Sequence, residues 1–159
     1  MDDRAAVAIA KLQELIVDKS LPSTSVAAML KPVDAFYGFW NNGSPALLDA
    51  ALSPGFKDYT LPEGRSQGPA GPAAASKGFL AAVPDLHVAV VQRLIVGDRV
   101  VSHLRFTGHF TGTFMGATGA GQPIDFIATD ILRVVDERIT DHWHLEDNQK
   151  FLTQIRLVK

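Results

Sequence analysis

The second half of the chain alternates apolar and polar residues with the period of β-strands. Leu86–Val96 and Arg99–Phe110 alternate in this way on either side of a Gly97–Asp98 turn. Phe126–Asp147 continues with two arms rich in Val, Ile, Thr and aromatic residues, and an acidic turn at Asp136–Glu137 separates the arms. The pattern therefore predicts consecutive strands, and the last two form a long hairpin that carries most of the candidate chemistry.

The first half of the chain places apolar residues at helical spacing instead. Residues 2–18 predict an amphipathic helix, whereas Leu21–Pro32, with proline near each end, is typical of a connecting loop. Val33–Asn41 predicts a second helix, which Asn42–Gly43 ends. Ser44–Leu52 opens on Ser-Pro and predicts a short third helix, because serine caps helices and proline suits their first position.

The remaining segments complete a chain in which helices precede strands. We expect a brief strand at residues 56–61, a Gly- and Pro-rich loop at 62–72 and a helix at 73–83. A flexible loop is expected at 115–123, and a closing helix, capped near Asp147, at 148–157. This order predicts the α+β class, with helices on one face of a mostly antiparallel sheet. A long sheet twists, so we expect sheet and helices to form a cone around a pocket.

The hairpin is apolar on both faces, which indicates that both faces are covered. The pocket and the helices account for one face. The opposite face carries a set of large apolar residues: Ile127, Ile131, Ile139, Trp143 and Leu145. We therefore expect this second face to be a subunit interface, in a homodimer joined through the sheet.

Composition and charge narrow the range of partners. The chain has 159 residues, enough for one domain, and is 47% hydrophobic and 20% charged. Its net charge is −2 and Lys and Arg are not clustered, which argues against binding to nucleic acid. The sequence has no cysteine, no basic leader and no long apolar run. We therefore expect a cytoplasmic protein without thiolate chemistry that binds neither nucleic acid nor a membrane.

The turn at Asp136–Glu137 decides which residues of the hairpin meet. A two-residue loop would pair Val135 with Arg138. Asp130 would then lie opposite Trp143, away from the histidines that follow on the second arm. A shift of one residue exchanges the two faces of a strand, so the choice of loop matters for any site here.

A three-residue loop, Val135 to Glu137, would pair Val134 with Arg138 instead. Asp130 would then lie opposite His142, with His144 as a diagonal neighbour on the same face. The last loop position usually takes glycine, because its backbone is left-handed, and here it is Glu137. We nevertheless favour this loop, because it brings the carboxylate and the imidazoles together.

Several segments, taken in order, resemble one known family. From Val33 to about Ile155 they are F-Y-G-F-W-N-N-G, P-D-L-H-V, G-D-R-V-V, G-H-F-T-G-T-F-M-G, D-I-L-R and I-T-D-H-W-H-L-E-D. They are similar to the SnoaL-like polyketide cyclase and ester cyclase family, within the group built like nuclear transport factor 2. The resemblance implies the cone fold over residues 33–159, preceded by a helical extension and connector over residues 1–32.

The resemblance also implies where the site lies. In the founding cyclases an aspartate late in the last strand is the acid–base residue, and a histidine on the preceding strand accompanies it. These positions fall on His144 and Asp130, so the pair is exchanged here. His142 and Asp147 match the family's frequent E-H-W-x-x-x-D pattern, with Asp141 in place of glutamate. The implied activity is a cofactor-independent cyclisation or isomerisation by proton transfer.

A carboxylate beside an imidazole suits that chemistry. Histidine titrates near neutral pH and can act as a base, while the carboxylate orients its ring and stabilises its charged form. We predict Asp130 and His144 as catalytic residues, with no metal and no organic cofactor. The substrate is expected to be a small, largely apolar carbonyl or polyketide-like compound. The residues predicted to contact it are His142, His103, Arg105, Tyr37, Trp40, Tyr59, Phe106 and Phe126.

Two alternatives to a cyclase or isomerase stay open at this stage. A related epoxide hydrolase would use an Asp-Arg-Asp arrangement, which Arg105 or Arg133 with Asp130 could imitate in part. The chain could also be a non-catalytic binding or dimerisation module. In that case the contact between Asp130 and a histidine would merely satisfy two buried polar groups.

Overall fold

Six strands of residues 1–158 form one curved sheet, and these residues are the part of the chain that the computed structural model describes. The strands of this sheet are β1 (Glu14–Val17), β2 (Leu52–Asp58), β3 (His87–Val96), β4 (Arg99–Phe110), β7 (Gln122–Val135) and β8 (Arg138–Glu146). Two short strands, β5 (Thr113–Phe114) and β6 (Ala117–Thr118), pair with each other. The helices are α1 (Asp3–Ile9), α2 (Ser23–Asn42), α3 (Pro45–Ala51), α4 (Ala70–Ala82) and α5 (Asn148–Gln154).

The strand order of the main sheet is β1-β3-β4-β7-β8-β2. The central pairs from β3 to β8 are antiparallel, while β1 and β2 lie at the edges, parallel to β3 and β8 respectively. The helices lie mainly against one face, with α2 packed across the sheet. The predicted α+β class and the mostly antiparallel cone are therefore confirmed.

The N-terminal segment differs from the single helix predicted over residues 2–18. Helix α1 ends at Ile9, and Glu14–Val17 forms β1, which extends the sheet beside β3. The sequence of β1 is Glu-Leu-Ile-Val, and its β-branched residues, Ile16 and Val17, favour a strand. The apolar residues that mimic helical spacing thus belong to two elements, and Leu15 and Ile16 are exposed at the sheet edge.

The connector predicted over Leu21–Pro32 is also wrong, because α2 begins at Ser23 and runs through Pro32 to Asn42. Packing offsets the helix-breaking tendency of Pro32, which is itself buried together with Met29. Gly43 ends the helix in a left-handed conformation, with a φ of 72°, as the Asn-Gly pair predicts.

The first 32 residues pack closely on the rest of the fold. Asn41 Nδ2 donates to the carbonyl of Ala6 over 3.1 Å. A side chain at Gly38 would come within 2.6 Å of Val7 Cγ2, so α1 and α2 approach through this glycine. Helix α2 passes through the predicted boundary between residues 32 and 33. The division into an extension and a domain stays a prediction.

Most other predicted elements are present with small shifts. Ser44 caps α3 and Pro45 occupies its first turn, while Asp147 caps α5 through a 3.0 Å hydrogen bond from the Lys150 amide. Strand β2 begins at Leu52, earlier than predicted. None of the helices described within residues 1–158 is long and apolar enough to cross a membrane.

The β7–β8 turn has two residues rather than the three that we favoured. Asp136 and Glu137 both adopt left-handed conformations, with φ of 49° and 56°, which is the requirement of a type I′ hairpin turn. Val135 pairs with Arg138 across it. The predicted three-residue loop is therefore wrong.

A β-bulge then shifts the register beyond the turn. The ladder is regular up to Ile139 and resumes after one extra residue, Thr140. Asp130 consequently lies directly opposite His144, not opposite His142 as we expected. His142 becomes the diagonal neighbour on the same face, so one carboxylate still meets both imidazoles.

The outer face of the hairpin also differs from the prediction at one residue. Ile139 points inward and is fully buried, whereas it was expected on the outer face. Ile127, Ile131 and Leu145 do lie on the outer face and are exposed. The core fills the space between the inner face and the helices, where α2 contributes Val33, Phe36 and Phe39, among others.

Candidate functional site

A cavity of about 310 Å³ lies between the inner face of the sheet and helices α2, α4 and α5. One side is apolar and largely aromatic, formed by Phe36, Trp40, Phe79, Phe106, Phe114 and Phe151. The other side is polar, formed by Asp58, Thr60, Asp130, His142, His144 and Glu146. Apolar walls with a few converging polar groups are typical of small-molecule sites.

Asp130 is the centre of the polar side. It lies in the middle of β7, and only 2% of its surface is exposed. Its Oδ1 accepts from His144 Nδ1 at 2.6 Å and from His142 Nε2 at 2.8 Å, while its Oδ2 accepts from the Tyr37 hydroxyl at 3.0 Å. Three donors therefore satisfy this buried carboxylate.

His144 is the imidazole that also reaches the open part of the cavity, with 29% of its side chain exposed. Its Nδ1 bonds to Asp130, and its Nε2 lies 3.5 Å from Glu146 Oε2. The backbone amide of His144 donates to Thr60 Oγ1 over 2.8 Å. The ring is thus fixed from one side, and one nitrogen remains for a ligand.

His142 is more deeply buried and has a different environment. Its ring lies between the rings of Phe36 and Phe56, with centroid distances of 5.8 and 6.1 Å. Its Nε2 bonds to Asp130, while its Nδ1 has no hydrogen-bond partner and lies 3.6 Å from Asp58 Oδ2, in ion-pair range. This histidine is held between two carboxylates.

Opposing effects set the charge of Asp130. Burial favours the neutral carboxyl group, but the charge of His142 and the hydrogen bonds from His142 and His144 outweigh burial. The pKa of Asp130 therefore lies well below its usual range. A carboxylate of this kind stays ionised and is a weak base.

The same contacts act in the opposite sense on the imidazoles. Burial lowers the pKa of His142, but the charge and hydrogen bond of Asp130 outweigh burial and raise the pKa to about 9. Burial also lowers the pKa of His144, and its bonds to Asp130 and Glu146 raise it to about 10. At neutral pH the site therefore holds an ionised Asp130 between two protonated imidazoles.

A second layer of polar residues supports this cluster from behind. Tyr37 is fully buried, and burial followed by the charge of Asp130 raises the pKa of its hydroxyl well above the usual value. The guanidinium of Arg93 lies 5.6 Å from the Tyr37 ring centroid and bonds to Asp34 at 2.7 Å. Tyr37 therefore remains a neutral donor to Asp130.

The structure separates the predicted site residues into three groups. Asp130, His144, His142, Trp40 and Phe106 line the cavity. Tyr37 and Phe126 are buried behind its wall, Tyr37 against Asp130 and Phe126 stacked 5.0 Å from Phe106. The third group, His103, Arg105 and Tyr59, lies on the outer face of the sheet.

The placement of this third group corrects our expectation that it contacts a ligand in the cavity. His103 and Arg105 alternate with residues that point inward on β4, so His103 bonds to Thr129 Oγ1 at 3.0 Å and Arg105 to Asp125. Tyr59 stacks on Trp143 with a centroid distance of 4.9 Å. All three have their partners outside the cavity.

Other cavity residues were not selected from the sequence. Glu146 follows His144 by two positions on β8, and this alternation could have placed it on the same face. Asp58 follows the buried Phe56 by two positions in the same way. An acidic residue on a strand does not by itself show whether its face of the strand meets a cavity or the solvent.

Asp130, His142 and His144 also have the spacing of a metal site, since three of their ligand atoms lie within 4.8 Å of one another. Histidine and carboxylate are common zinc and iron ligands. In this structure, however, both imidazole nitrogens are directed at a single carboxylate oxygen, Asp130 Oδ1. The three residues thus form one hydrogen-bonded cluster.

Comparison with solved structures identifies the architecture as the nuclear transport factor 2-like cone. A candidate polyketide cyclase from Bacillus cereus ATCC 10987 is 37% identical, with a TM-score of 0.85 and 94% of both chains covered. AclR, a candidate hydroxylase from Streptomyces galilaeus, is 25% identical with a TM-score of 0.71, over 86% of this chain and 87% of its own.

IdmH, a candidate polyketide cyclase from Streptomyces antibioticus, has the same fold at 24% identity, with a TM-score of 0.70 over 79% of this chain and 96% of its own. No curated protein matches the sequence significantly. The sequence pattern of the SnoaL-like polyketide cyclases matches residues 32–155. The chain belongs to the SnoaL-like polyketide cyclase family.

Proposed function

We propose that this protein is a cofactor-independent acid–base enzyme that cyclises or isomerises a small, largely apolar carbonyl compound. The observation that carries the proposal is the hydrogen bond between His144 Nδ1 and the buried Asp130, with His144 Nε2 left at an aromatic cavity. The similarity to a candidate polyketide cyclase supports the same class of reaction.

The roles of the two predicted catalytic residues differ. Asp130 accepts from three donors and is only 2% exposed, so it orients His144 and stabilises its charged form. His144 is the residue that exchanges a proton with the substrate through Nε2. In an aldol closure it donates this proton to the carbonyl oxygen that is attacked, after a base has removed a proton next to the other carbonyl.

The cavity contributes by holding the substrate in a reactive shape. Its aromatic wall binds an apolar body, and the polar side receives the carbonyl groups. Bringing two ends of one molecule together can supply much of the rate of a cyclisation. The volume of about 310 Å³ favours a compact substrate of one or two rings.

Hydrogen exchange of a simple ketone tests this function without knowledge of the natural substrate. 2-Tetralone, a small bicyclic ketone, would be incubated with the protein in D₂O containing a chelator, and loss of its α-proton signals followed by NMR. We expect the protein to accelerate exchange, and His144→Gln to lose about 10²-fold of the acceleration. His87→Gln, an exposed histidine away from the cavity, serves as the control.

The outcome separates an enzyme from a binding module. If the wild-type protein binds the ketone and exchanges its protons no faster than His144→Gln does, the proposed catalysis is wrong. Retained binding with lost exchange in His144→Gln supports it. Equal loss in His87→Gln would point to a general effect on the fold and would contradict the assigned role of His144.

No observation favours the epoxide hydrolase alternative. It required Arg105 or Arg133 beside Asp130. Arg105 instead pairs with Asp125 at 2.6 Å and Arg133 with Asp98 at 2.8 Å, both on the outer face. Neither arginine can take part in the Asp-Arg-Asp arrangement with Asp130.

We also propose that the protein forms a homodimer through the outer face of the sheet. Ile127, Ile131 and Leu145 are exposed there, next to the stacked rings of Tyr59 and Trp143. Neighbouring strands bring these side chains together into one apolar surface. Such surfaces on small proteins usually mark an interface.

A further inference from the structure

Glu146 and His144 project from the same face of β8 into the cavity. His144 Nε2 and Glu146 Oε2 are 3.5 Å apart, and both side chains line the cavity. The other nitrogen of the His144 ring is bonded to Asp130, so the pair with Glu146 is formed at the ring nitrogen that remains for a ligand. About a third of each side chain is exposed, which leaves room for contact with a bound molecule.

We propose that Glu146 is the catalytic base that works together with His144, an assignment that rests on the proposed function. An aldol closure requires one group to remove a proton and another to donate one. His144 can supply the proton from Nε2. The carboxylate of Glu146 lies beside this atom on the cavity side and can remove the proton from carbon.

The proton balance of the step closes within this pair. The Glu146 carboxylate takes a proton from the carbon next to one carbonyl, and the C–H electron pair forms an enolate. The enolate carbon attacks the second carbonyl carbon, and His144 Nε2 gives its proton to the oxygen, which becomes a hydroxyl group. The proton on Glu146 then returns to the neutral His144 over 3.5 Å, directly or through one water. One C–H bond and the π bond of the attacked carbonyl are lost, one C–C and one O–H bond are formed, and no co-reactant is consumed.

The other carboxylates of the site are poorly placed for this role. Asp130 is 2% exposed and accepts three hydrogen bonds. Asp58 accepts from the amide and hydroxyl of Thr60 through Oδ1, at 2.8 and 2.9 Å, and its Oδ2 faces His142. Both carboxylates are therefore already bonded to internal partners. Within residues 1–158, the ion pair of Glu146 is the one with His144.

The test compares Glu146→Gln with wild type in the exchange of 2-tetralone α-protons in D₂O. Glutamine has nearly the same shape but cannot accept the proton, so we expect exchange to slow by about 10²-fold while binding of the ketone is retained. Glu14→Gln, on the edge strand β1, is the matched control and should exchange at the wild-type rate. Glu146→Asp keeps the carboxylate but places it one methylene closer to the backbone, so its exchange rate should lie between those of Glu146→Gln and wild type.

Each result has a definite meaning. If Glu146→Gln stays within about twofold of wild type while His144→Gln is slow, Glu146 is not the base and the proposed function stands. If wild type is no faster than His144→Gln, the proposed function fails and this role of Glu146 fails with it.

A second readout does not depend on turnover. The Glu146 carboxylate raises the pKa of His144, so Glu146→Gln should lower that pKa in an NMR titration of the ring. The titration reports on the contact itself and distinguishes a base beside His144 from a residue that acts only through the fold. An unchanged His144 pKa would overturn the assigned contact.

Discussion

Asp130 Oδ1 lies 2.6 Å from His144 Nδ1, directly across the β7–β8 ladder. This bond links a buried carboxylate that accepts three hydrogen bonds to an imidazole that opens onto the cavity. It is also the contact on which both the charge of the site and its proposed chemistry depend. Removing either partner should therefore affect stability and activity together.

Asp130→Asn should destabilise the protein strongly. The two imidazoles would lose the charge that compensates them, and breaking a buried pair from one side costs roughly 3–5 kcal/mol. We expect a loss of this size in the free energy of unfolding, measured by urea denaturation at pH 6, where wild-type His142 and His144 are protonated.

Asp125→Asn is the matched control, since Asp125 also pairs with a cation but on the exposed surface. Exposed ion pairs contribute little to stability, so this variant should unfold close to wild type. Similar losses in the two variants would show that Asp130 is not a specially stabilised carboxylate.

Tyr37→Phe removes one donor from Asp130 and leaves both imidazoles in place. Hydrogen bonds to charged groups contribute about 1.5–3 kcal/mol, so a loss in this range is expected in the free energy of unfolding. Tyr59→Phe, at the exposed ring that stacks on Trp143, should change stability little. Equal stability of Tyr37→Phe and wild type would argue against a hydrogen bond at Asp130 Oδ2.

Stability should depend on pH in a way that reveals the cluster. The pKa values of His142 and His144 are raised above the ordinary value of about 6.5, to about 9 and about 10. Their contribution is complete below about pH 6.5 and is lost as pH rises through the folded-state values. The pKa of Asp58 is lowered to about 2, and that of Asp130 is lowered too, so their contribution is lost in acid, below about pH 4.

We therefore expect the free energy of unfolding to be greatest between about pH 4 and 6.5 and to fall on both sides. In His144→Gln the fall at alkaline pH should be smaller, because His142 is then the one histidine of the cluster whose raised pKa contributes to stability. A flat profile from pH 6 to 9 in the wild-type protein would contradict raised histidine pKa values.

Leu145→Asp should break the proposed homodimer. Leu145 is 79% exposed on the outer face, and a charge there would be buried without a partner in the interface. Light scattering after gel filtration should give a dimer for wild type and a monomer for the variant. Met115→Asp is the control, because Met115 is 78% exposed in the β5–β6 turn and should leave the dimer intact. If the wild-type protein is a monomer in this measurement, the proposed homodimer is wrong.

The class of fold and the contact of Asp130 with His142 and His144 could be predicted from the sequence, because strand alternation is a local signal. Strand β4 has the predicted limits, and Ser44 and Asp147 cap their helices. The face of β4 that points into the cavity was predicted less well. His103 and Arg105 were expected at the pocket because polar residues on a strand do not by themselves tell which face is enclosed.

The register of the hairpin required information that is not local. The extra residue at Thr140 follows no glycine or proline signal, and it moves Asp130 from Trp143 to His144. In the N-terminal segment, pairing of Glu14–Val17 with β3 prevailed over helical spacing. Both errors arose where tertiary pairing outweighs local preference.

The most direct test of the account is the pKa of His144 in the wild-type protein, measured by NMR titration of its ring and assigned with His144→Gln. Asp130 and Glu146 should hold this pKa far above the ordinary value of about 6.5, near the value of about 10 that their contacts produce. A pKa at or below about 6.5 would mean that Asp130 does not stabilise the imidazolium, and the proposed acid–base site would be wrong.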